Sequence, residues 1–287
     1  MDIRAALAHG VERLAAYSDS PREDAKWLLA NVLRCETTRF ITHPDQALSE
    51  AQARRFQAHV QRRRRGEPVA YLTGRRGFWN LDLAVGPGVL IPRPETELLV
   101  ETALEILPES GARVLDLGTG SGAIALALAK ERPAWEIVAT DRSRDALKIA
   151  RANRDTLGLG RVKLLQGNWY EPLAGEARFD LIVSNPPYVA EGDPHLKTGD
   201  LRFEPIQALV SGADGLDDIR RIVGKAGRWL LPDGWLLVEH GHDQSDAVLR
   251  LFEQAGMKRR RVISDLAGCR RSSSHSIRAI SRARRIR

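Results

Sequence analysis

Asn185-Pro186-Pro187-Tyr188 closes the apolar run Phe179-Asp180-Leu181-Ile182-Val183-Ser184, so an amide side chain falls at what reads as the carboxyl end of a strand. Open α/β sheets place their ligands at that end. Each proline fixes its own φ, removes an N–H donor and pushes the residue before it toward extended geometry. The result is a stiff loop with free carbonyl oxygens. The Asn185 side-chain oxygen and the Pro186 carbonyl are then two acceptors held apart on a rigid frame. An NH2 group on an sp² carbon presents two coplanar N–H donors, and accepting both fixes its plane and turns its nitrogen toward an electrophile. Such a nitrogen is a poor nucleophile because its lone pair is delocalised. Donating both protons returns electron density to it, and positioning supplies much of the rest. No strong base is needed first, since the alkylated nitrogen loses its proton readily. Tyr188 can stack on the same flat π-system. The bland alternative is a plain turn after a strand.

A second constellation lies upstream. Asp116-Leu117-Gly118-Thr119-Gly120-Ser121-Gly122-Ala123 follows one strand-like run and opens a helical one. Glycines there let the backbone turn tightly and approach a ligand with no side chain in the way. The string fits the GxGxG of S-adenosylmethionine binders and the GxGxxA of dinucleotide binders alike, and alone it does not choose. Asp141, 21 positions after Gly120, ends the next strand-like run, where a carboxylate can accept both hydroxyls of an adenosine ribose. Its other reading is a helix cap before Ser143. Asn168-Trp169 follows the third run, where the indole can lie against an adenine and Asn168 can bond the ring's polar edge, or Trp169 can simply fill a gap. A hydride-transfer enzyme would want a His or Lys in the cleft, and none follows the Asn-Pro-Pro-Tyr loop at once, so the pair of motifs disfavours a dehydrogenase.

Elements must hold these residues in place. RVLDL, EIVAT, VKLLQ, FDLIVS and WLLVEH are strand-like, and GAIALALAKE, RDALKIARANRDTLG and DDIRRIVGKAGRWL are helical. Strand–helix alternation implies a parallel sheet covered on both faces, because parallel neighbours need crossovers. The expected fold class is doubly wound α/β. Before it, VERLAAY, AKWLLANVL and AQARRFQAHVQRR carry apolar residues at three- and four-residue spacing, with Ser20-Pro21 and Ser49 as helix starts. GFWNLDLAVGPGVLIPRP alternates apolar and polar residues around Gly-Pro-Gly, a hairpin signature, and ETELLVETALEIL then begins the next helix. The expected organisation is a helical domain over residues 1–75, a hairpin linker over 76–94 and the α/β domain over 95–287.

Composition narrows the class. At 43% hydrophobic and 28% charged residues, the 287-residue chain reads as an ordinary soluble globular protein with no membrane span. MDIRAALAHGVERL lacks the apolar stretch of a secretory signal, and two cysteines make neither a disulfide framework nor a zinc site, which together suggest the cytoplasm and no metal. The net charge of +7 equals the seven arginines of residues 267–287, a stretch with no acidic residue, so the remainder is neutral. The tail is expected to be a solvated basic end, removable after Leu266 without loss of activity, that leaves room for a nucleic-acid contact but requires none. Arg62–Arg65 reads as one exposed helix end.

The chain resembles the class I S-adenosylmethionine-dependent methyltransferases and, more closely, the bacterial release factor glutamine methyltransferases. Asn-Pro-Pro-Tyr by itself is shared with enzymes that methylate adenine amines; YLTGRRGFW, LIPRPETE, LDLGTGSGAIALALA, LRFEPIQAL and LLVEHG make the narrower match over nearly the whole chain. The resemblance implies a Rossmann-like seven-stranded methyltransferase sheet and a helical domain that helps to grip the substrate. It implies S-adenosyl-L-methionine on Gly118, Thr119, Gly120, Ser121, Gly122, Asp141, Trp169 and Asn185. It implies a substrate amide on Asn185, Pro186, Pro187 and Tyr188, with Asn185, Pro186 and Tyr188 catalytic. The implied reaction is methylation of the glutamine amide in the Gly-Gly-Gln motif of class 1 peptide chain release factors, by a monomer. The alternative is an exocyclic-amine methyltransferase acting on DNA or RNA, disfavoured because the body is neutral and no base-reading domain is evident. Two departures stand out. Asn168 takes a position where many relatives carry an acid. After DLAG the relatives continue with a short strand, whereas here CRRSSSHSIRAISRARRIR follows, with SIRAI as the one candidate for that strand.

Overall fold

A computed structural model of the chain describes residues 1–263 and 276–282. The chain divides into two compact units, residues 1–75 with 195–203, and residues 76–194 with 204–287.

The first unit is helical: α1 (Ile3–Leu14), α2 (Pro21–Leu33), α3 (Arg39–Thr42), α4 (Glu50–Arg64) and α5 (Val69–Thr73). The local signals act as their chemistry dictates. Pro21 opens α2 at its first position, and Ser49 and Gln52 form a reciprocal capping box at α4. Ile3, Leu14, Leu28, Leu29 and Phe56 are fully buried and make the core. Arg62–Arg65 is not simply a solvated end, because Arg63 is only 13% exposed and bonds Asp24 Oδ2 at 2.6 Å and Asp200 Oδ1 at 2.7 Å. With the Arg202 guanidinium on the Arg65 carbonyl, that ion pair draws residues 195–203 into this unit, although they lie within the sequence span expected for the α/β domain.

The second unit opens with a hairpin of β1 (Arg75–Phe78) and β2 (Leu81–Ala84). Its turn is Trp79-Asn80, not the Gly-Pro-Gly, with Trp79 at φ +55. After α6 (Glu97–Ile106) the alternation runs β3 (Arg113–Leu117), α7 (Ala123–Glu131), β4 (Glu136–Asp141), α8 (Arg144–Thr156), β5 (Lys163–Gln166), β6 (Phe179–Ser184), α9 (Asp217–Trp229), β7 (Leu230–Gly241), α10 (Ser245–Gln254), β8 (Lys258–Ile263) and β9 (Ser276–Arg282). The seven-stranded sheet has the order β5-β4-β3-β6-β7-β9-β8, parallel from β5 to β7. Both faces are buried under separate apolar clusters, as a crossover-built parallel sheet requires. In α7 every residue from Ala123 to Ala129 is buried, so that helix has no solvated face. The chain winds outward from β3 in one direction to β5 and in the other through β6, which makes the β3/β6 boundary the switch point where ligands bind.

The candidate strand SIRAI lies within β9, and the expectation of a solvated basic end is corrected there. Residues 276–282 are not a solvated basic end: β9 inserts antiparallel between β7 and β8, paired from Trp235↔Arg282 to Gly241↔Ser276 on one side and with residues 258–263 on the other. Backbone pairing, which is indifferent to the arginines, outweighs the charge pattern. The rest of the basic tail lies outside the described residues.

Candidate active site

Four parallel strands deliver their carboxyl-terminal residues to one cleft: Gly118 and Gly120 after β3, Asp141 at the end of β4, Asn168 and Trp169 after β5, and Asn185 and Pro187 after β6. The opposite walls come from Gly88, Val89 and Leu90 and from Pro205, Gln207 and Ala208.

The glycine-rich loop is pinned from below. Gly118 and Thr119 donate their N–H groups to the Thr140 carbonyl at 2.9 and 3.0 Å. Gly118 sits at φ +73, and a Cβ there would lie 3.1 Å from Trp169 Cζ3, so only glycine lets the indole come this close. Gly120, at φ +58, has open space where a Cβ would point, so its backbone is accessible to a ligand. Thr119, Ser121 and Gly122 do not line the cleft. The Thr119 hydroxyl donates to Asp116 at 2.6 Å, the Ser121 carbonyl accepts from Asn153 at 2.9 Å, and Gly122 is the residue that caps α7.

Asp141 lines the cleft with its carboxylate already oriented. Oδ2 accepts from the Gly120 N–H at 2.9 Å and Oδ1 from the Ser143 N–H at 2.8 Å. Burial raises its pKa above the ordinary aspartate range, and those two N–H bonds oppose the rise. Capping of α8 falls to Ser143, whose hydroxyl accepts from the Ala146 N–H at 3.2 Å, and not to Asp141. Trp169 occupies the left-handed region at φ +52, an uncommon backbone for a bulky residue. Its carbonyl accepts from the Thr140 hydroxyl at 3.0 Å and its indole N–H donates to Asp218 at 3.3 Å, which together fix the ring against the cleft.

Asn185 is half-buried, and its Nδ2 donates to the hydroxyl of Thr96 at 3.0 Å. Pro186 is buried and Pro187 lines the cleft. Tyr188 does not line it: its hydroxyl donates to Glu239 at 3.4 Å, and its carbonyl accepts from Gln244 at 2.9 Å.

Sequence reasoning missed several contributors. The far wall is held by Glu204, 6% exposed, which accepts from the Ile91 N–H at 2.9 Å and pairs with the Arg93 guanidinium. Arg142 donates to the Gln207 carbonyl at 2.9 Å. The signal lies in LIPRPETE and LRFEPIQAL, which carry the family resemblance but announce no structural role by themselves. Asp116, fully buried beneath the glycine loop, was also passed over. Burial pushes its pKa up to about 7. A carboxyl raised on folding favours the fold while protonated, so that contribution declines as pH rises from the ordinary aspartate range toward 7. Asp116→Asn should therefore flatten the stability of the ligand-free protein across roughly pH 4–7, read by thermal unfolding; an unchanged pH profile would remove Asp116 from this role.

Comparison with known proteins identifies the family. Models of the PrmC N-terminal domain and of the methyltransferase small domain match residues 5–74 and 94–204. The release factor glutamine methyltransferase of Xylella fastidiosa strain Temecula1 is 53% identical over 91% of this chain and 93% of its own length. The chain belongs to the release factor glutamine methyltransferase family. The Escherichia coli K12 member is 48% identical over 87% of this chain and 90% of its own. Among solved structures, a Pyrococcus furiosus methyltransferase superposes with a TM-score of 0.53 at 18% identity, over 72% of this chain and 90% of that one. A T. thermophilus 16S rRNA methyltransferase in complex with AdoMet and guanosine gives 0.54 at 22% identity, over 73% of this chain and 50% of that one. At those identities the likeness is one of fold, consistent with the observed sheet order. Among the described residues no helix is long and apolar enough to cross a membrane, and no cluster of His, Cys, Asp and Glu could hold a metal ion.

Proposed function

We propose that the protein methylates the side-chain amide nitrogen of the glutamine in the Gly-Gly-Gln motif of class 1 peptide chain release factors, in the cytoplasm, using S-adenosyl-L-methionine. The observation that carries this reading is that Asn185, followed by two prolines, lines the same cleft as Gly118, Gly120 and Asp141, in a chain 53% identical to a named family member.

The residues present fit the cofactor. Gly120 offers accessible backbone and Asp141 a carboxylate fixed in orientation. Asp141 would accept the ribose hydroxyls, and Trp169 would lie along the adenine. When bound, the cofactor supplies an electrophilic methyl group. Asn185 Oδ1 and the Pro186 carbonyl would accept the two N–H donors of the substrate amide. Accepting both fixes the plane of the NH2 group and returns electron density to its nitrogen, and the rigid prolines hold that geometry without reorganisation during reaction. Tyr188, which bonds Glu239 and Gln244, supports the loop from behind.

Two measurements test the reading. Incubation with labelled S-adenosylmethionine and separate pools of release factor, tRNA, rRNA and DNA should label the release factor glutamine alone; label only in nucleic acid would overturn it. Asp141→Ala should weaken cofactor binding by roughly 1.5–3 kcal/mol, the range for a charged acceptor, or about 10- to 150-fold in Kd. In the native protein, affinity should fall as pH drops through the raised Asp141 pKa, at a higher pH than an exposed aspartate would show. Unchanged calorimetric affinity in Asp141→Ala would sink the ribose assignment.

A further inference from the structure

A loop that offers a backbone carbonyl to its substrate must be held by other groups. In Asn185-Pro186-Pro187-Tyr188 the two prolines carry no N–H, so neither can tie the loop to its surroundings as a donor. The Pro186 carbonyl, given over to the substrate amide, must stay open to the cleft. The backbone is held instead at its two ends. Upstream, Ser184 at the end of β6 donates its hydroxyl to the Leu117 carbonyl at 2.7 Å. Downstream, the Val189 N–H donates to the Leu209 carbonyl at 2.9 Å, and the Tyr188 carbonyl accepts from Gln244 at 2.9 Å.

Gln244 closes the turn between β7 and α10, where its N–H donates to the Gly241 carbonyl at 3.0 Å. It is the N-cap residue of α10, yet its side chain makes no capping bond to that helix. The amide turns to backbone groups of three other residues. Oε1 accepts from the Gly241 N–H at 2.8 Å, and Nε2 donates to the carbonyls of Tyr188 at 2.9 Å and Asp214 at 3.3 Å. A backbone N–H only donates and a carbonyl only accepts. The reversed amide would set Nε2 on the N–H and Oε1 on two carbonyls, so its orientation is fixed by its partners. Gly215, at φ +75, makes room for this junction: a Cβ there would lie 2.3 Å from the Tyr188 carbonyl oxygen and 2.7 Å from Gln244 Nε2.

We infer that Gln244 is a positioning residue for methyl transfer: by holding the Tyr188 carbonyl it fixes the exit of the proline loop, and with it the direction of the Pro186 carbonyl and the Asn185 side chain. This rests on the proposed role of that loop in binding the substrate amide. Two residues with locked φ angles stand between Asn185 and Tyr188, which leaves few torsions in which a rotation at the exit could be absorbed. A loop released at Tyr188 samples orientations in which its two acceptors no longer meet both N–H donors. The competent fraction falls, and kcat falls with it.

The test compares variants of the full chain at about pH 8, where an introduced glutamate is ionised. Gln244→Leu removes both ends of the amide and should lower kcat by about 3- to 10-fold, the equivalent of one neutral hydrogen bond. The Kd for S-adenosylmethionine should not change, since Gly118, Gly120 and Asp141 stand on other strands. Gln244→Glu keeps an oxygen for the Gly241 N–H but sets the other against two carbonyls, so it should lose more activity than the leucine variant. Should the leucine variant not accumulate as folded protein, Gln244→Ala carries the same expectation. Near-native kcat in Gln244→Glu would overturn the inference, because the work of Gln244 would then lie in accepting from Gly241. So would native kcat in Gln244→Leu beside an impaired Asn185→Ala enzyme, or a cofactor Kd that weakens in step with kcat, the mark of general damage to the fold. Full activity in Asn185→Ala would instead sink the reading of the loop itself, a result the comparison reports separately.

Discussion

Asn185→Ala should lower kcat by about 10² to 10³, by analogy with deletion of one preorganised oxyanion partner, while leaving the loop from Gly118 to Gly122 undisturbed. The deleted oxygen matters most as positive charge builds on the substrate nitrogen, so the loss should fall on kcat more than on KM for either substrate. Asn185→Asp is the sharper comparison. It keeps two acceptor oxygens, and the Thr96 hydroxyl can rotate to donate to one of them. If acceptance of N–H protons is the role, the aspartate variant retains more activity than the alanine one. Equal and complete loss in both would assign the work to the Asn185 NH2 group instead, and full activity in the alanine variant would remove Asn185 from the mechanism. Single-turnover rates at saturating cofactor separate these outcomes.

A chain ending at Ile263 should fail to fold. It lacks β9, which pairs with β7 over the seven positions from Trp235 to Gly241 and with β8 beyond it. Its loss bares a row of N–H and C=O groups on β7, turns a central strand into an open edge, and leaves β8 without its sheet partner among the described residues. Soluble yield and circular dichroism should both collapse, and the exposed edge should promote aggregation. A chain ending at Arg282 keeps all seven strands and is the control. Native-like unfolding in the shorter chain would show that β9 is dispensable to the sheet.

Residues legible in the sequence differ physically from those that are not. Gly118, Gly120, Asp141 and Asn185 were legible because each is tied to the end of a strand whose apolar pattern is local. The helix starts at Ser20-Pro21 and Ser49 were legible for the same reason. Thr96 and Glu204 were not, since each acts on a residue about a hundred positions away, 89 for Asn185 and 113 for Ile91. Nothing in a single sequence announces such a pairing. Residues 276–282 read two ways, as part of a solvated basic end and, in SIRAI, as a strand: the arginines favour the first, yet a strand needs only a paired backbone. The hairpin turn was displaced because Gly-Pro-Gly is the stronger local turn signal, whereas Trp79 and Asn80 are held by partners elsewhere. Trp79 bonds Glu97 and Glu131, and Asn80 shares Glu131.

The Glu204 carboxylate, gripping both the Ile91 N–H and Arg93, fastens the segment that carries Val89 and Leu90 to the one that carries Pro205, Gln207 and Ala208. Two wall segments that would otherwise wander as separate loops are thus ordered before any ligand arrives. Their conformational entropy is lost on folding and not on binding, so a ligand closing against them meets a preformed wall and keeps more of its contact energy as affinity. The cleft owes part of its binding strength to a carboxylate that need never touch what it binds.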